Sequence, residues 1–342
     1  MNASSAIAGA IAFVVVVLLL PVVIRLCERW RLFDAPGPLK IHSRPIPRLG
    51  GIAVALAVAA AAFVASPRLA AREWPFFAAL ALIWATGLAD DLLGLSPVLR
   101  LAAQIAAGLL LWRGGLHLPA LGDGYLDLTA VSLIVVVFAN AWNFADGSDG
   151  LAAGVTCIVA LAVLSLPAGS ATPFSHVLAC SLAGACAAFL FANFPPAKLF
   201  LGDSGSNAVG FCVAFLALTF YRSAPTTPSR ILFPVAVAAL PLLDAALAVL
   251  RRLLNGRSPL QGDRRHLYDL LMARGWSARR VAVTSYGVSA LFASLAWVGL
   301  RSESPKFWLI PALSLVALIV AALRLGSLRV ETRGSAVERL RA

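Results

Sequence analysis

Hydrophobic positions in this chain fall in long continuous runs, without the alternation of one apolar and one polar residue that marks a half-buried strand. Eleven runs approach the length needed to cross a hydrocarbon core, about 20 residues. They cover residues 6–26, 50–66, 74–89, 97–113, 129–142, 150–167, 174–192, 204–221, 231–250, 282–300 and 307–324. Continuous runs favour spanning helices over a membrane barrel, whose strands alternate. The first run lacks a basic leader and a small-residue cleavage site, so it reads as a retained helix and not a signal peptide. The pattern predicts an all-α, polytopic membrane protein of about eleven transmembrane helices. It forms one integral-membrane domain over 1–342, with a basic loop at 251–281 and a tail at 325–342.

Composition sharpens this reading. Hydrophobic residues make up 60% of the chain, mean hydropathy is +0.87, and only 16 of 342 residues are acidic. A net charge of +12 would suit a nucleic-acid partner if it formed a patch, but the charges follow the connections between runs. With the N-terminus outside and the connections alternating, 21 of the 28 Lys and Arg residues fall on the inner side. That is the positive-inside pattern. It predicts an outer N-terminus, a cytoplasmic C-terminus and no nucleic-acid partner. Five cysteines without C-x-x-C spacing read as packing residues.

The few carboxylates are concentrated in three islands. Asp90-Asp91 closes the third run; Asp146 and Asp149 follow Asn140 and Asn143 after the fifth; Asp203 opens the eighth within Leu-Gly-Asp-Ser-Gly-Ser. Acids at the edge of an apolar span are costly unless paired or bound to a cation. The alternating topology puts all three islands on the cytoplasmic side, which points to one site there. Polar groups at 140, 143, 146 and 149 recur every three residues, a spacing that shares one face across a tightened helix end. Oxygen donors so arranged suit a hard cation such as Mg2+, with Mn2+ as the alternative. The backbone amides of residues 202 and 204–206 begin a helix and could hold an anion; a simple N-cap is the plainer reading.

The same side carries Arg251, Arg252, Arg264, Arg265 and His266, a group suited to phosphate or to anionic lipid. The first inner loop sets Lys40, His42, Arg44 and Arg48 among prolines, a stiff frame for presenting charge to an anion. Asp244 lies inside the ninth run, where an acid suggests function or the balancing of nearby arginines.

The Asp-Asp pair, N-x-x-N-x-x-D-G-x-D-G over 140–150, and F-P-P-A-K-x-F-L-G-D-S-G-S over 194–206 together resemble the polyprenyl-phosphate N-acetylhexosamine-1-phosphate transferases. The resemblance includes the K-x-H and P-x-P-x-x-G-G elements of the first loop and spans nearly the whole chain. It implies transfer of a HexNAc-1-phosphate from a UDP-sugar to undecaprenyl phosphate, releasing UMP, at the cytoplasmic face of a bacterial inner membrane. It implies Asp90, Asp91, Asp203 and His266 as catalytic residues, with Asp90 orienting or deprotonating the lipid phosphate. Metal would be held by Asp203, Asn143 and Asp91. Substrate would be bound by Lys40, His42, Asn140, Asp146, Asp149, Phe200, Arg264 and Arg265, with Asp149 and Phe200 against the nucleotide base and Arg264, Arg265 and His266 toward the diphosphate. One histidine stands where many N-acetylglucosamine-1-phosphate transferases carry H-x-H-H, so the chain looks more like the O-antigen-initiating branch that takes 6-deoxy-HexNAc donors. Membrane lipid is the other partner, and a homodimer stays open. The alternatives are the phospho-MurNAc-pentapeptide translocase of peptidoglycan synthesis and, from another class, a cation-coupled transporter.

Overall fold

The computed structural model describes residues 3–35, 44–122, 124–166, 169–223, 228–302 and 305–329. In chain order the helices are α1 (Ala3–Trp30), α2 (Gly50–Ala65), α3 (Pro67–Arg72), α4 (Trp74–Leu93), α5 (Pro97–Arg113), α6 (Tyr125–Ala145) and α7 (Leu151–Leu164). They continue as α8 (Pro173–Asn193), α9 (Gly202–Ser223), α10 (Pro228–Val237), α11 (Ala239–Leu254), α12 (Leu267–Met272), α13 (Ala278–Arg301) and α14 (Leu309–Arg324). A two-stranded antiparallel ribbon, β1 (Phe33–Asp34) with β2 (Ile46–Pro47), closes the first loop.

Each of the eleven hydrophobic runs folds as helix, so the all-helical, multi-pass class holds, but the expected count of eleven spans is not supported. Among the described residues seven helices are long and apolar enough to cross a membrane, or eight if the bent α10–α11 pair forms one span. The shortfall is one of length. Helices α2 and α7 have 16 and 14 residues, about 24 and 21 Å at 1.5 Å per residue, against a hydrocarbon core of about 30 Å. Helix α5 has 17 residues and carries Arg100 and Gln104. The ninth run is broken by an 81° bend between α10 and α11. Pro241 explains the place of the break, because it has no N–H to give the carbonyl four residues earlier, at Val237.

Helix boundaries follow the sequence. Gly94 adopts a left-handed conformation (φ 68°) and ends α4, its N–H bonding to the Asp90 carbonyl. Ser96 and Thr172 cap α5 and α8, each followed by proline at the first helical position.

Helix α9 is the axis of the bundle. Every residue from Ser204 to Phe220 is buried, as expected of a helix that is apolar all round. Helices α1, α13 and α14 lie outermost and expose most of their apolar surface, as a lipid-facing shell would. Close approach of α4 to α9 depends on Gly87. A Cβ there would stand 2.6 Å from both the Asp203 carbonyl oxygen and Ser204 Cα. The returning first loop lies along the segment before α9: Phe200 N–H donates to the Pro47 carbonyl (2.8 Å), Gly50 N–H to that of Phe200 (2.9 Å), and Gly51 N–H to that of Leu201 (2.7 Å). At the far end of α6, Asp127 is fully buried and accepts from Trp112 Nε1, Leu118 N–H and the His117 ring, which pins the α5–α6 connection.

Gly87→Ala should force α4 away from α9. Overpacking of this kind costs about 1–3 kcal/mol, and thermal unfolding in detergent should show a lower midpoint than the wild type.

Candidate active site

The connections α4–α5, α6–α7, α8–α9 and α11–α12 meet with the first loop around a cavity of about 260 Å³ at one end of the bundle. Asp91, Asn143, Asp146, Asp149, Phe200 and Asp203 all line it, with Arg264 from the basic loop. The three acidic islands therefore share one site, as their common side suggested. Asp34, Gly147, Asp263, Tyr268 and Asp269 also line it and were not among the site residues expected from the sequence. With them stand two residues expected to meet an anion, Gly202 through its backbone amide and Arg48 as a first-loop cation.

The adjacent pair Asp90-Asp91 divides its work, because neighbouring side chains on a helix point about 100° apart. Asp91 is buried, and its two oxygens accept the N–H groups of Asp203 and Ser204, each at 2.9 Å. The anion site expected at the start of α9 thus exists, and an internal carboxylate fills it. Asp90 turns the other way, taking Leu95 N–H at 2.6 Å and Arg100 Nη1 at 2.8 Å. It does not line the cavity.

Asp203 leaves 33% of its side chain exposed, against 8% for Asp90, so it is the more available of the two. The Asn143 amide donates to Asp203 Oδ1 and to Ser206 Oγ (3.0 Å). As placed, the Asn143 amide nitrogen faces Asp203 and holds that carboxylate. Arg100 Nη1 stands 3.6 Å from Asp203 Oδ2.

Asp146 and Asp149 follow α6. Burial pushes the Asp146 carboxyl well above its ordinary range, and the charges of Asp203 and Asp91 push it further. Asp149 Oδ2 accepts the Ala197 N–H at 2.9 Å, tying this turn to the segment before α9. A Cβ on Gly147 would fall 1.8 Å from Tyr268 Oη, so glycine here is what lets the last loop lean over the cavity.

Asn140 is not in the cavity. One turn deeper, its Nδ2 donates to Gln104 Oε1 (2.7 Å) and to the Val136 carbonyl, Gln104 Nε2 donates to Asn207 Oδ1 (3.1 Å), and Asn207 Nδ2 donates to the Asp203 carbonyl (2.8 Å). The three-residue spacing gave Asn140 the right face but not its depth.

The basic loop is largely self-engaged. Arg251 and Arg252, each 3% exposed, clamp Asp263 at 2.6 and 3.1 Å and bond to the carbonyls of Ser327 and Pro259. Burial raises the Asp263 carboxyl, but the two guanidinium groups outweigh it and hold the group below its usual range. His266 is buried, with Nδ1 2.7 Å from Asp244 Oδ2 and its ring parallel to Tyr268. Asp244 also accepts Leu267 N–H, so the intramembrane acid anchors this loop to α11. Arg264 reaches the cavity, 3.3 Å from Asp269, whereas Arg265 bonds to the Arg329 carbonyl instead. Lys40 and His42 lie outside the described residues.

Among the described residues no three Asp, Glu, His or Cys side chains form a ready-made metal cage. The donors that do gather are carboxylate oxygens in excess of nearby positive charge. That set fits a hard divalent ion of the kind held by one or two carboxylates and completed by water and phosphate. Beside the cavity, sharing Tyr268 with it, lies an apolar pocket of about 220 Å³ walled by residues such as Leu240, Leu267, Trp276 and Leu318.

The profile described as glycosyl transferase family 4 matches residues 74–221. The chain is 35% identical over 302 residues to the decaprenyl-phosphate N-acetylglucosaminephosphotransferase of Mycolicibacterium smegmatis, covering 78% of this chain and 72% of that protein. It is 29% identical over 315 residues to a probable undecaprenyl-phosphate N-acetylglucosaminyl 1-phosphate transferase of Bacillus subtilis, covering 89% and 86%. A third relative is the undecaprenyl-phosphate alpha-N-acetylglucosaminyl 1-phosphate transferase of Escherichia coli, 28% identical over 316 residues, covering 86% and 83%.

Asp263→Asn should leave two buried guanidinium groups poorly compensated, a loss of about 3–5 kcal/mol. It should register as a lower unfolding midpoint and faster proteolysis within 255–266. The wild-type pair has a matching pH signature. Asp263 is held low, so its contribution is complete above the unfolded carboxylate value of about 4 and vanishes as pH falls through its lower folded value. Unfolding midpoints of wild type and variant should therefore converge in acid.

Proposed function

The chain belongs to glycosyl transferase family 4, and from that premise we propose that it is a sugar-phosphate transferase acting between a nucleotide-activated sugar and a polyprenyl phosphate. The donor in this reading is a UDP-HexNAc, the acceptor undecaprenyl phosphate, and the products UMP and the lipid-linked sugar diphosphate. An acceptor phosphate oxygen attacks the phosphorus that bears the sugar. A new P–O bond forms there, the bond to the bridging oxygen breaks, and that oxygen departs on UMP. N-acetylglucosamine is favoured among donors because the curated relatives are named for it. The 6-deoxy-HexNAc donors suggested by the single histidine at 266 are the alternative.

The observation that carries the reading is the junction of two unlike cavities. A charged cavity with four aspartates, Asp91, Asp146, Asp149 and Asp203, shares Tyr268 with an apolar pocket. Phosphate needs the first and a prenyl chain needs the second, and a transferase must bring both together. Asp203 would hold Mg2+, helped by Asp146, with Asn143 keeping the Asp203 carboxylate in place. When bound, Mg2+ would supply Lewis-acid neutralisation of phosphate charge.

This chain's own groups would do the rest. Arg264 in the cavity wall, and Arg100 from behind Asp203 at 3.6 Å, would meet phosphate oxygens by charge-assisted hydrogen bonds. Asp90, already bonded to Arg100 and Leu95, serves better to aim Arg100 than to accept a proton. No base is required, since a phosphate monoester with a second pKa near 6 is largely dianionic at neutral pH. His266 would act through its stacking on Tyr268, keeping that side chain between the two cavities. Phe200 offers a face for the base. In this reading the end of the bundle that carries the basic loop 251–281 faces the cytoplasm, the side that basic loops favour, and the product would begin a cell-surface polysaccharide.

The test is transfer itself. Purified protein in detergent, given undecaprenyl phosphate, Mg2+ and labelled UDP-N-acetylglucosamine, should release UMP and form butanol-extractable label. EDTA should stop the reaction. Asp203→Asn should slow it by about 10²–10³-fold, the scale of losing one electrostatic stabiliser, while keeping the wild-type unfolding midpoint. If no UDP-HexNAc gives lipid-linked label, the reading fails; unimpaired turnover in the variant would overturn the role of Asp203.

A further inference from the structure

One cation in the cavity has no assigned partner. Half-buried Arg48 lines the same wall as Asp34, Asp91 and Asp203, yet among the described residues its side chain makes no hydrogen bond or ion pair. Its Nε is wholly buried and unpartnered. The other site arginines are engaged: Arg100 by Asp90, Arg251 and Arg252 by Asp263, and Arg264 by Asp269. A half-buried guanidinium whose Nε is desolvated and unpaired costs folding free energy. The nearby carboxylates do not relieve it, because Asp91 is committed to the start of α9 and Asp203 to Asn143.

Its position is fixed on both sides. Pro47, immediately before it, accepts the Phe200 N–H, and Gly50, two residues after it, donates to the Phe200 carbonyl. The Arg48 carbonyl oxygen lies 3.2 Å from where a Cβ on Gly202 would stand. Arg48 is therefore held where the aromatic wall of Phe200 meets the carboxylate of Asp203. A nucleotide with its base on Phe200 and its phosphates at Asp203 must pass this point.

We propose that Arg48 binds the nucleoside-bearing phosphate of the donor and stabilises it as it leaves. This rests on the sugar-phosphate transfer reading. When the P–O bond to the sugar-bearing phosphorus breaks, the bridging oxygen keeps the bonding pair and the nucleoside monophosphate gains negative charge. A planar guanidinium can meet two of its oxygens at once. The ligand thus supplies the partner that the folded chain withholds, and the attraction strengthens as the bond breaks.

Full-length wild type, Arg48→Gln and Arg48→Lys should be compared in detergent with Mg2+. Without nucleotide, Arg48→Gln should unfold at the same temperature as wild type or higher, because it removes a half-buried charge whose Nε is unpartnered. Its affinity for UMP should fall about tenfold or more, the loss of one charge-assisted hydrogen-bonding group. Donor kcat/KM should fall by more than UMP affinity does, while acceptor KM stays within about twofold, since only the donor would touch this group. Arg48→Lys should recover part of the loss by keeping the charge without the fork.

The proposal is overturned if UMP affinity and donor kinetics are unchanged in Arg48→Gln, or if the effect falls on acceptor KM. It is equally overturned if the unliganded variant is destabilised, which would make Arg48 a structural counter-charge. A wild type that neither transfers sugar-phosphate nor binds UMP would instead sink the functional reading beneath it.

Discussion

A helix that begins inside a protein must satisfy the N–H groups of its first turn, and here a carboxylate from another helix does so. Asp91 accepts from both Asp203 and Ser204, joining the end of α4 to the start of α9. Opposite charge at a helix N-terminus is favourable and the unsatisfied alternative is costly. An acid at the end of α4 is poorly placed with respect to its own helix dipole, but well placed with respect to that of α9. Much else hangs from this contact. Gly87 lets the two helices come close enough to make it, and the first loop is laid along the residues that precede it. Asp203 is directed outward into the cavity because its backbone is held from behind.

That arrangement sets the electrostatics. Asp91 spends its charge within the fold, while Asp203, Asp146 and Asp149 remain around the opening. Phosphorylated substrates would be repelled from such a site without intervening cations. The chain supplies some positive charge from Arg48 and Arg264 in the wall and from Arg100 near Asp203, and in the proposed reading a divalent ion would supply the rest. The apolar pocket beyond Tyr268 gives the same site a place for hydrocarbon. Arg251, Arg252 and Asp244 build the loop that carries Arg264 and Tyr268, so their charges are structural at one remove from the chemistry.

Much of this was legible in the sequence, and the parts that were not have physical reasons. Hydropathy finds every helix but the six-residue α3 and α12, because burial and lipid exposure both demand apolar runs. It cannot count spans, since α2 and α7 are as greasy as their neighbours but shorter than the hydrocarbon core is thick. The bend between α10 and α11 is signalled by Pro241, although nothing local gives its angle. Three acidic islands on one side announced a shared site. Their division of labour was hidden, because Asp91 and Asp203 are 112 positions apart and only the fold shows that one caps the other's helix. Likewise N-x-x-N-x-x-D fixes a face but not depth, which is why Asn140 joins Gln104 below the cavity. Arg265 and Arg251 could not be told from Arg264 by charge alone; Asp263 and the carbonyls after α14 decide among them.

At the centre of the account is a cation and a nucleotide phosphate meeting at Asp203. Mn2+ can report on this directly as a paramagnetic stand-in. With Mn2+ and UMP bound to the purified protein, pulsed electron paramagnetic resonance should show hyperfine coupling to phosphorus. In Asp203→Asn both the coupling and the tight Mn2+ binding should be lost. Mn2+ that binds equally well to the variant, or that shows no phosphorus coupling in the wild type, would contradict it.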